Sequence, residues 1–200
     1  MFIIGITGGT GSGKTTALHA LESLGALILD CDAIYHELLD TNTGMLSEIG
    51  SRFPGAVRDG RLNRRALGEV VFSDPEALSD LNAVTHKYVR AERERRLGEW
   101  EKAGGKAAAI EAIALIENGI GAGCDVVVGV TAPRKVRLGR IMERDGITLK
   151  DAEMRIAAQQ PDSFYEENCD VVLESRYDTP DGFERACAEF FTEILGHLNM

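Results

Sequence analysis

Gly8, Gly13, Lys14 and Thr15 stand at the spacing G-x-x-x-x-G-K-T, within the stretch GITGGTGSGKTT from Gly5 to Thr16. Glycine loses more conformational freedom on folding than any other residue, so several together need a use that side chains would obstruct. That use is phosphate binding: without Cβ atoms, backbone N–H groups turn inward and approach anionic oxygens closely. The helix that opens at Lys14 adds the positive end of its dipole. The pattern assigns Lys14 to the β- and γ-phosphates of a nucleotide, and the Thr15 hydroxyl to Mg²⁺. Gly8, Gly9, Gly11, Ser12, Gly13 and Thr16 complete the expected contacts to ATP. The plain alternative is a glycine-rich turn with no ligand. A strand before the loop and a helix after it argue for the phosphate loop instead. No clear N/T-K-x-D guanine-reading motif occurs, which favours ATP over GTP.

A nucleotide site alone names no reaction. Asp30 and Asp32 follow the second apolar run, in LILDCDAIYHELL. The carboxyl ends of parallel strands form the ligand crevice of an open α/β sheet, and this strand is expected beside the first. A carboxylate there can take a proton from an attacking hydroxyl. The competing reading is helix capping, with Asp32 as the cap of a helix starting at Ala33. A second set of candidates is basic. Arg134 to Lys150 holds six lysines or arginines against two acids. Arg137, Arg140 and Arg144 fall on one helical face, and Arg155 and Gln159 share a face of the next helix. Arginines so placed can close over phosphates and stabilise the charge of transfer, or simply form a solvated face. Two further islands are Arg52, Arg58, Arg61, Arg64 and Arg65, then Arg90, Arg93, Arg95 and Arg96. Either is able to meet a substrate's pyrophosphate or to be ordinary surface charge.

These groups need elements to hold them. Phe2–Thr7, Ala26–Asp30, Ala107–Leu115, Cys124–Thr131 and Cys169–Ser175 are continuous apolar runs. They suit a parallel sheet of five strands covered on both faces. Between the first two runs, Ala17, Leu18, Leu21 and Leu24 share a helical face, and Gly25 is the stop. Residues 33–105 show no convincing strand. They predict helices broken at TNTG, RFPGAVRDGR and SDPEA, with Pro75 in a first turn, and hence a helical substrate-binding insertion. Residues 134–161 predict two helices joined at DGIT, with Thr148 and Asp151 as a capping box, forming a lid. Phe183–Leu198 predicts a closing amphipathic helix. The expectation is one domain over residues 1–200.

The bulk composition narrows the partners. The 200 residues are 44% hydrophobic and carry a formal net charge of −10. An acidic balance argues against a general nucleic-acid binder. No apolar run reaches the length of a membrane span, and no signal peptide is visible. Cys31, Cys124, Cys169 and Cys187 are scattered without a CxxC, which fits free thiols in a reducing cytoplasm. Oligomeric state is left open.

Several stretches together resemble one family. GITGGTGSGKTT, then LDCDAI, then LNAVTH (Leu81 to His86), then RIMERDGITLKDAEMRIAAQQ are similar to dephospho-CoA kinase, in order from Phe2 to about Leu173. The resemblance implies an α/β, P-loop kinase-like three-layer fold with a helical insertion and lid. It implies transfer of the ATP γ-phosphate to the ribose 3′-hydroxyl of dephospho-CoA, the last step of coenzyme A synthesis. The family's general base matches Asp32, and His86 falls at the substrate site. Arg140 and Arg144 take catalytic roles beside Lys14, and Arg155 contacts ATP. Glu111 stands where the family carries an acid, able to hold Mg²⁺ through water or merely to end a strand. The chain departs from the family at three places. Lys87 follows His86 where the family usually has proline, EAIALIE replaces D-x-P-L-L-F-E, and Ser175 stands near the usual asparagine. These departures keep two other readings open: a kinase of another nucleoside or nucleotide acceptor, and a nucleotide-binding switch with no acceptor.

Overall fold

The computed structural model describes residues 1–176 and 180–196. In chain order the elements are β1 (Phe2–Thr7), α1 (Lys14–Ser23), β2 (Leu27–Asp30), α2 (Cys31–Thr41), α3 (Thr43–Arg52), β3 (Val57–Arg58), β4 (Arg61–Leu62), α4 (Arg64–Val71) and α5 (Pro75–Lys102). There follow β5 (Ala107–Glu111), β6 (Val126–Thr131), α6 (Arg134–Asp145), α7 (Leu149–Ala157), α8 (Asp162–Asn168), β7 (Val171–Glu174) and α9 (Pro180–Gly196). The chain divides into two units, Met1–Leu29 with Trp100–Met200, and Asp30–Glu99.

The first unit is built on a five-stranded sheet in the order β2-β5-β1-β6-β7. This corrects one expectation: β2 lies beside β5, and β5 separates it from β1. β1 pairs in parallel with β5 and β6, and β6 pairs in parallel with β7. Successive strand residues point to opposite faces. Ile4, Ile6, Val128 and Val130 therefore share one face, where they pack with Ala17, Leu18 and Leu21 of α1 and Phe183, Cys187 and Phe191 of α9. Gly5 and Gly129 point to the other face. A Cβ on Gly5 would meet the Cys124 Sγ and Leu115, and one on Gly129 would meet the Cys169 Sγ and Tyr165. With helices on both faces the unit is a three-layer α/β fold, as expected.

Two Cys-Asp pairs repeat a device at the amino ends of the strands. The Asp125 carboxylate accepts from Ile3 N at 2.7 Å, and the Asp170 carboxylate accepts from Val127 N at 2.7 Å. Each aspartate also donates its own N–H to the carbonyl of the residue it holds. The strand register is thus pinned by side chains as well as by the ladder.

Other boundaries differ from the sequence reading. β5 stops at Glu111, short of Leu115, and the apolar residues after it form turns. Leu115 is still fully buried, so its burial and not its conformation made the run look like a strand. α8 was not expected. α7 ends at Ala157, so Gln159 lies beyond it. α6 and α7 flank the DGIT joint as predicted. Thr148 caps α7 by accepting from Asp151 N at 3.3 Å and donates its hydroxyl to the Asp151 carboxylate at 2.6 Å. The closing helix is present from Pro180 to Gly196, and its predicted end at Leu198 lies outside the described residues.

The second unit has its own core, in which Ile34, Leu38, Met45, Ile49, Leu67, Leu81 and Val84 are buried. It is helical except for β3 and β4, an antiparallel hairpin where no strand was expected. Its turn residues Asp59 and Gly60 have φ of 50° and 72°, the left-handed pair of a type I′ turn. Asp-Gly between short runs is the hairpin signal. Two-residue strands, however, carry no periodicity to betray them. α5 begins as predicted: the Asp74 carboxylate accepts from Glu76 N and Ala77 N, with Pro75 in the first turn. It then runs unbroken through His86 and Lys87, because Lys87 keeps the N–H that a proline would lack.

Candidate active site

The glycine loop joins β1 to α1, and its backbone permits no other residue at two points. Gly8 has φ of 146°, and a Cβ there would strike the Val130 carbonyl of β6. Gly13 has φ of 110° and is the N-cap of α1. α2, α3, α4 and α7 each have a side chain, from Asp30, Asn42, Asn63 and Thr148, accepting from the first-turn N–H groups. α1 has no such cap and no acid in its first turn. Its amino-terminal donors and its dipole are left for an outside anion. Ser12 Oγ in the same loop is buried and has no hydrogen-bond partner.

Lys14, the first residue of α1, turns back over the loop. Its Nζ donates to Gly8 O at 2.9 Å and lies 3.6 Å from Glu111 Oε1 at the end of β5. Both side chains are largely buried, 13% and 9% exposed, so the two charges face each other with little water between them. Thr15 is exposed and Thr16 half-buried.

α6 grips the loop from outside. Arg137 is only 4% exposed; its Nε donates to Thr10 O at 3.0 Å and its Nη2 to Gln159 Oε1 at 3.0 Å. That same Gln159 oxygen accepts from Thr10 N at 2.8 Å, so the tip residue is held at both backbone groups. Arg137 Nη1 also reaches Asp162 at 3.3 Å. Arg140 donates through Nη1 to Gly11 O at 3.1 Å and Ser12 O at 3.3 Å, and through Nη2 to Ser175 Oγ at 2.9 Å. Burial lowers the pKa of the Arg140 guanidinium below its ordinary value. Arg144 meets Thr10 Oγ1 at 3.4 Å and forms a two-point pair with Asp145. Arg155 meets Asp145 as well.

Of the expected phosphate residues, Lys14, Arg140 and Arg144 come together around Gly8 to Ser12, while Arg155 is tied to Asp145. Arg137 was named on the R-x-x-R-x-x-x-R face with Arg140 and Arg144 but given no role of its own. That face was the signal that pointed to it. Ser175, where the family's asparagine was missing, is fully buried and serves as the acceptor for Arg140.

In the second unit the alternative reading of Asp32 as a helix cap is corrected. Asp30, and not Asp32, caps α2: its Oδ1 accepts from Asp32 N at 2.8 Å and Ala33 N at 2.9 Å. The helix begins at Cys31, two residues earlier than expected, and this places Asp32 inside its first turn. The Asp32 carboxylate is exposed and makes no hydrogen bond or ion pair among the described residues. His86 is exposed in the middle of α5. Beside it, Glu48 Oε2 accepts from Lys87 Nζ at 2.5 Å and Tyr88 OH at 3.1 Å, which fastens α5 to α3. The Lys87 hydrogen bond is the main cause holding the Glu48 carboxyl below the usual range.

No cluster of three or more His, Cys, Asp or Glu side chains able to cage a metal occurs among the described residues. Mg²⁺ in nucleotide sites is held by one or two protein oxygens together with phosphates and water. The Thr15 hydroxyl on the first turn of α1 and the buried Glu111 carboxylate are oxygen donors of that kind, so the residues present fit the ion.

Three comparisons bear on this arrangement. A family model described as dephospho-CoA kinase matches residues 2–181. The chain is 43% identical to the dephospho-CoA kinase of Moorella thermoacetica over 162 residues, covering 80% of this chain and 76% of that one. It is 36% identical to the dephospho-CoA kinase of Geobacter sulfurreducens over 195 residues, covering 96% and 98%. The crystal structure of TT1252 from Thermus thermophilus superimposes with a TM-score of 0.80 at 36% identity, covering 96% of this chain and 97% of that one.

Proposed function

Because the chain belongs to the dephospho-CoA kinase family, a kinase acting in the final step of coenzyme A synthesis, we propose that its residues divide the transfer of phosphate as follows. The loop Gly8–Gly13 and the uncapped start of α1 hold the ATP phosphates through backbone N–H groups, with Thr16 beside them. Lys14 releases its hold on Gly8 O and meets the β- and γ-oxygens, where its charge offsets what builds up in transfer. Arg140 and Arg144 add positive charge on the far side of the loop, and Arg155 joins them at ATP. Asp32 accepts the proton of the ribose 3′-hydroxyl of dephospho-CoA as its oxygen bonds to the γ-phosphorus. The bond from that phosphorus to the bridging oxygen breaks, ADP leaves, and coenzyme A is the product. His86 contacts the acceptor. Thr15 and Glu111 would hold Mg²⁺, which would supply charge neutralisation of the phosphates.

The observation that carries this reading is the uncapped α1 terminus behind the glycine loop, with Lys14 folded over it. The free Asp32 carboxylate favours a kinase over a switch, because a switch needs no acceptor base. Cytoplasmic residence is supported by the scatter of the four cysteines, with no CxxC among them. Among the described residues, no helix is long and apolar enough to cross a membrane. The decisive experiment is incubation with Mg-ATP and a panel of acceptors that includes dephospho-CoA, with product identified by mass. Phosphate on another acceptor, and none on dephospho-CoA, would replace this reading. The Asp32→Asn variant is expected to bind Mg-ATP as the wild type does and to make coenzyme A about 10²–10⁴-fold more slowly. Turnover at the wild-type rate would remove Asp32 from the chemistry.

A further inference from the structure

Asp145, the last residue of α6, gathers two arginines from two helices onto one carboxylate. Arg144 Nε donates to its Oδ1 at 2.7 Å and Arg144 Nη2 to its Oδ2 at 2.9 Å. Arg155 of α7 donates to the same Oδ2. Neighbouring residues on a helix do not normally face each other. The two-point pair forms here because α6 ends at this position: Gly146 takes φ of 63° and closes the helix by donating to Met142 O at 3.0 Å. The base of the cluster is shielded and its cations are not. The Asp145 side chain is 19% exposed, against 60% for Arg144 and 49% for Arg155. Two guanidinium groups share one carboxylate, so one positive charge is left over, facing solvent. Arg144 Nη2 also reaches Thr10 Oγ1 at 3.4 Å, which joins the cluster to the tip of the glycine loop.

We propose that Asp145 is a positioning residue: it sets Arg144 and Arg155 as a fixed pair for the phosphates of ATP. The inference rests on the phosphate-binding role given above to those two arginines. A long arginine side chain loses substantial rotamer freedom when it is fixed. With Asp145 in place, that loss is met on folding and not at each encounter with nucleotide. The planar guanidinium leaves donors free after a two-point pair, because it has five. Arg144 and Arg155 can therefore keep Asp145 and still present N–H groups to an anion. The lowered pKa of Asp145, caused first by the Arg144 hydrogen bond, agrees with a carboxylate that stays ionised in this role.

A mere strut between α6 and α7 predicts different behaviour, and a mutant cycle separates the two. The variants are Asp145→Asn, Asp145→Glu, the Arg144→Gln/Arg155→Gln double and the triple with Asp145→Asn. Each is read by initial rates at varied ATP and varied dephospho-CoA, ATP binding by calorimetry, and Tm. For Asp145→Asn the expected result is a kcat/KM for ATP lowered on the order of 10- to 100-fold, with Tm and the KM for dephospho-CoA unchanged. Asp145→Glu recovers part of the loss. The triple variant is no slower than the double, because Asp145 acts only through the arginines. An Asp145→Asn enzyme with wild-type kinetics, beside a damaged double, overturns the proposal and leaves the arginines' role standing. Activity and Tm falling together, with additive loss in the triple, also overturns it in favour of a strut. A double variant with full activity is a separate failure, because it removes the arginines from phosphate binding and the proposal with them.

Discussion

Arginines line both α5 and α6, yet on the two helices they hold different kinds of partner. On α5, Arg90 pairs with Glu94, Arg95 with Glu92 and Glu99, and Arg96 with Glu92 and, on α2, Glu37. On α6, Arg140 donates to the carbonyls of Gly11 and Ser12 and to the Ser175 hydroxyl, and Arg137 to the Thr10 carbonyl and Gln159. A carboxylate partner cancels the arginine's charge. A carbonyl partner accepts the hydrogen bond and leaves the full charge in place. The paired arginines of α5 are therefore electrically quiet, while Arg140 on α6 keeps its full positive charge at the glycine loop; Arg137 and Arg144 of the same helix share theirs with Asp162 and Asp145. Residue type is the same in both; what separates Arg140 from the α5 pairs is the chemistry of the acceptor.

The largest effect is expected where positive charge meets the phosphates. Arg140→Gln should slow coenzyme A formation about 10²–10³-fold while the protein stays folded, and Lys14→Ala about 10³-fold or more. Initial rates at saturating Mg-ATP check both. If Arg140→Gln kept wild-type turnover, the positive field at the loop would have no catalytic meaning, and the contrast with α5 would fail.

Arg137 sharpens the contrast, because it mixes carbonyl, amide and carboxylate partners and is nearly fully buried. Arg137→Gln strands Thr10 O and takes one of the two donors from the Gln159 oxygen, which keeps Thr10 N. A lost buried hydrogen bond of this kind costs about 1–3 kcal/mol. Thermal unfolding should show a drop of about 2–4 °C for each kcal/mol in a chain of this size. A fall in rate with no fall in Tm would move Arg137 from anchoring the loop to contacting the nucleotide.

The α5 set should be nearly silent. Arg95→Gln is expected to leave turnover unchanged and to shift stability by about 0.5 kcal/mol or less, because exposed pairs are weak. Denaturant titration beside a rate assay tests this. A clear loss of rate would bring α5 into the site.

The smallest effect is one of pH. Hydrogen bonding from Arg95 is the leading cause that depresses the Glu92 carboxyl from its ordinary 4.5 to about 2. A depressed acid adds stability above its unfolded pKa and loses it as pH falls through the folded value. The Tm gap between wild type and Glu92→Gln should thus be steady above pH 5 and close between about pH 4.5 and 2. A gap that persisted at pH 2 would mean that Glu92 stabilises by packing and not by charge.

What could be read in the sequence was what is local in the chain. The phosphate loop is contiguous, and each glycine's need follows from its immediate neighbours. Pro75 after Asp74, and Thr148 before Asp151, announced their helix starts for the same reason. The strand order was not legible, because pairing across the sheet is decided by residues far apart, and adjacency in sequence suggested β1 beside β2. That Asp30 and not Asp32 caps α2 turned on where α2 starts, which propensity does not settle to within one or two residues. The role of Arg137 was not legible because an arginine's role lies in its acceptors, and Thr10 and Gln159 are distant in sequence from it and from each other. The hairpin at Asp59-Gly60 was signalled by its turn alone.

Because β5 lies between β1 and β2, the first two strands to leave the ribosome cannot pair with each other in the finished sheet. β2 has no neighbour until Ala107–Glu111 has been made, after the whole of Asp30–Glu99 has been synthesised. At about 5–20 residues per second, that interval is roughly 4–15 seconds. The helical unit, whose contacts lie within its own span, is complete before the sheet can close. Sheet closure must then wait for β5 to enter between two strands that were made long before it. A pause in translation after Glu99 would prolong the time during which β2 stands as an unpaired edge.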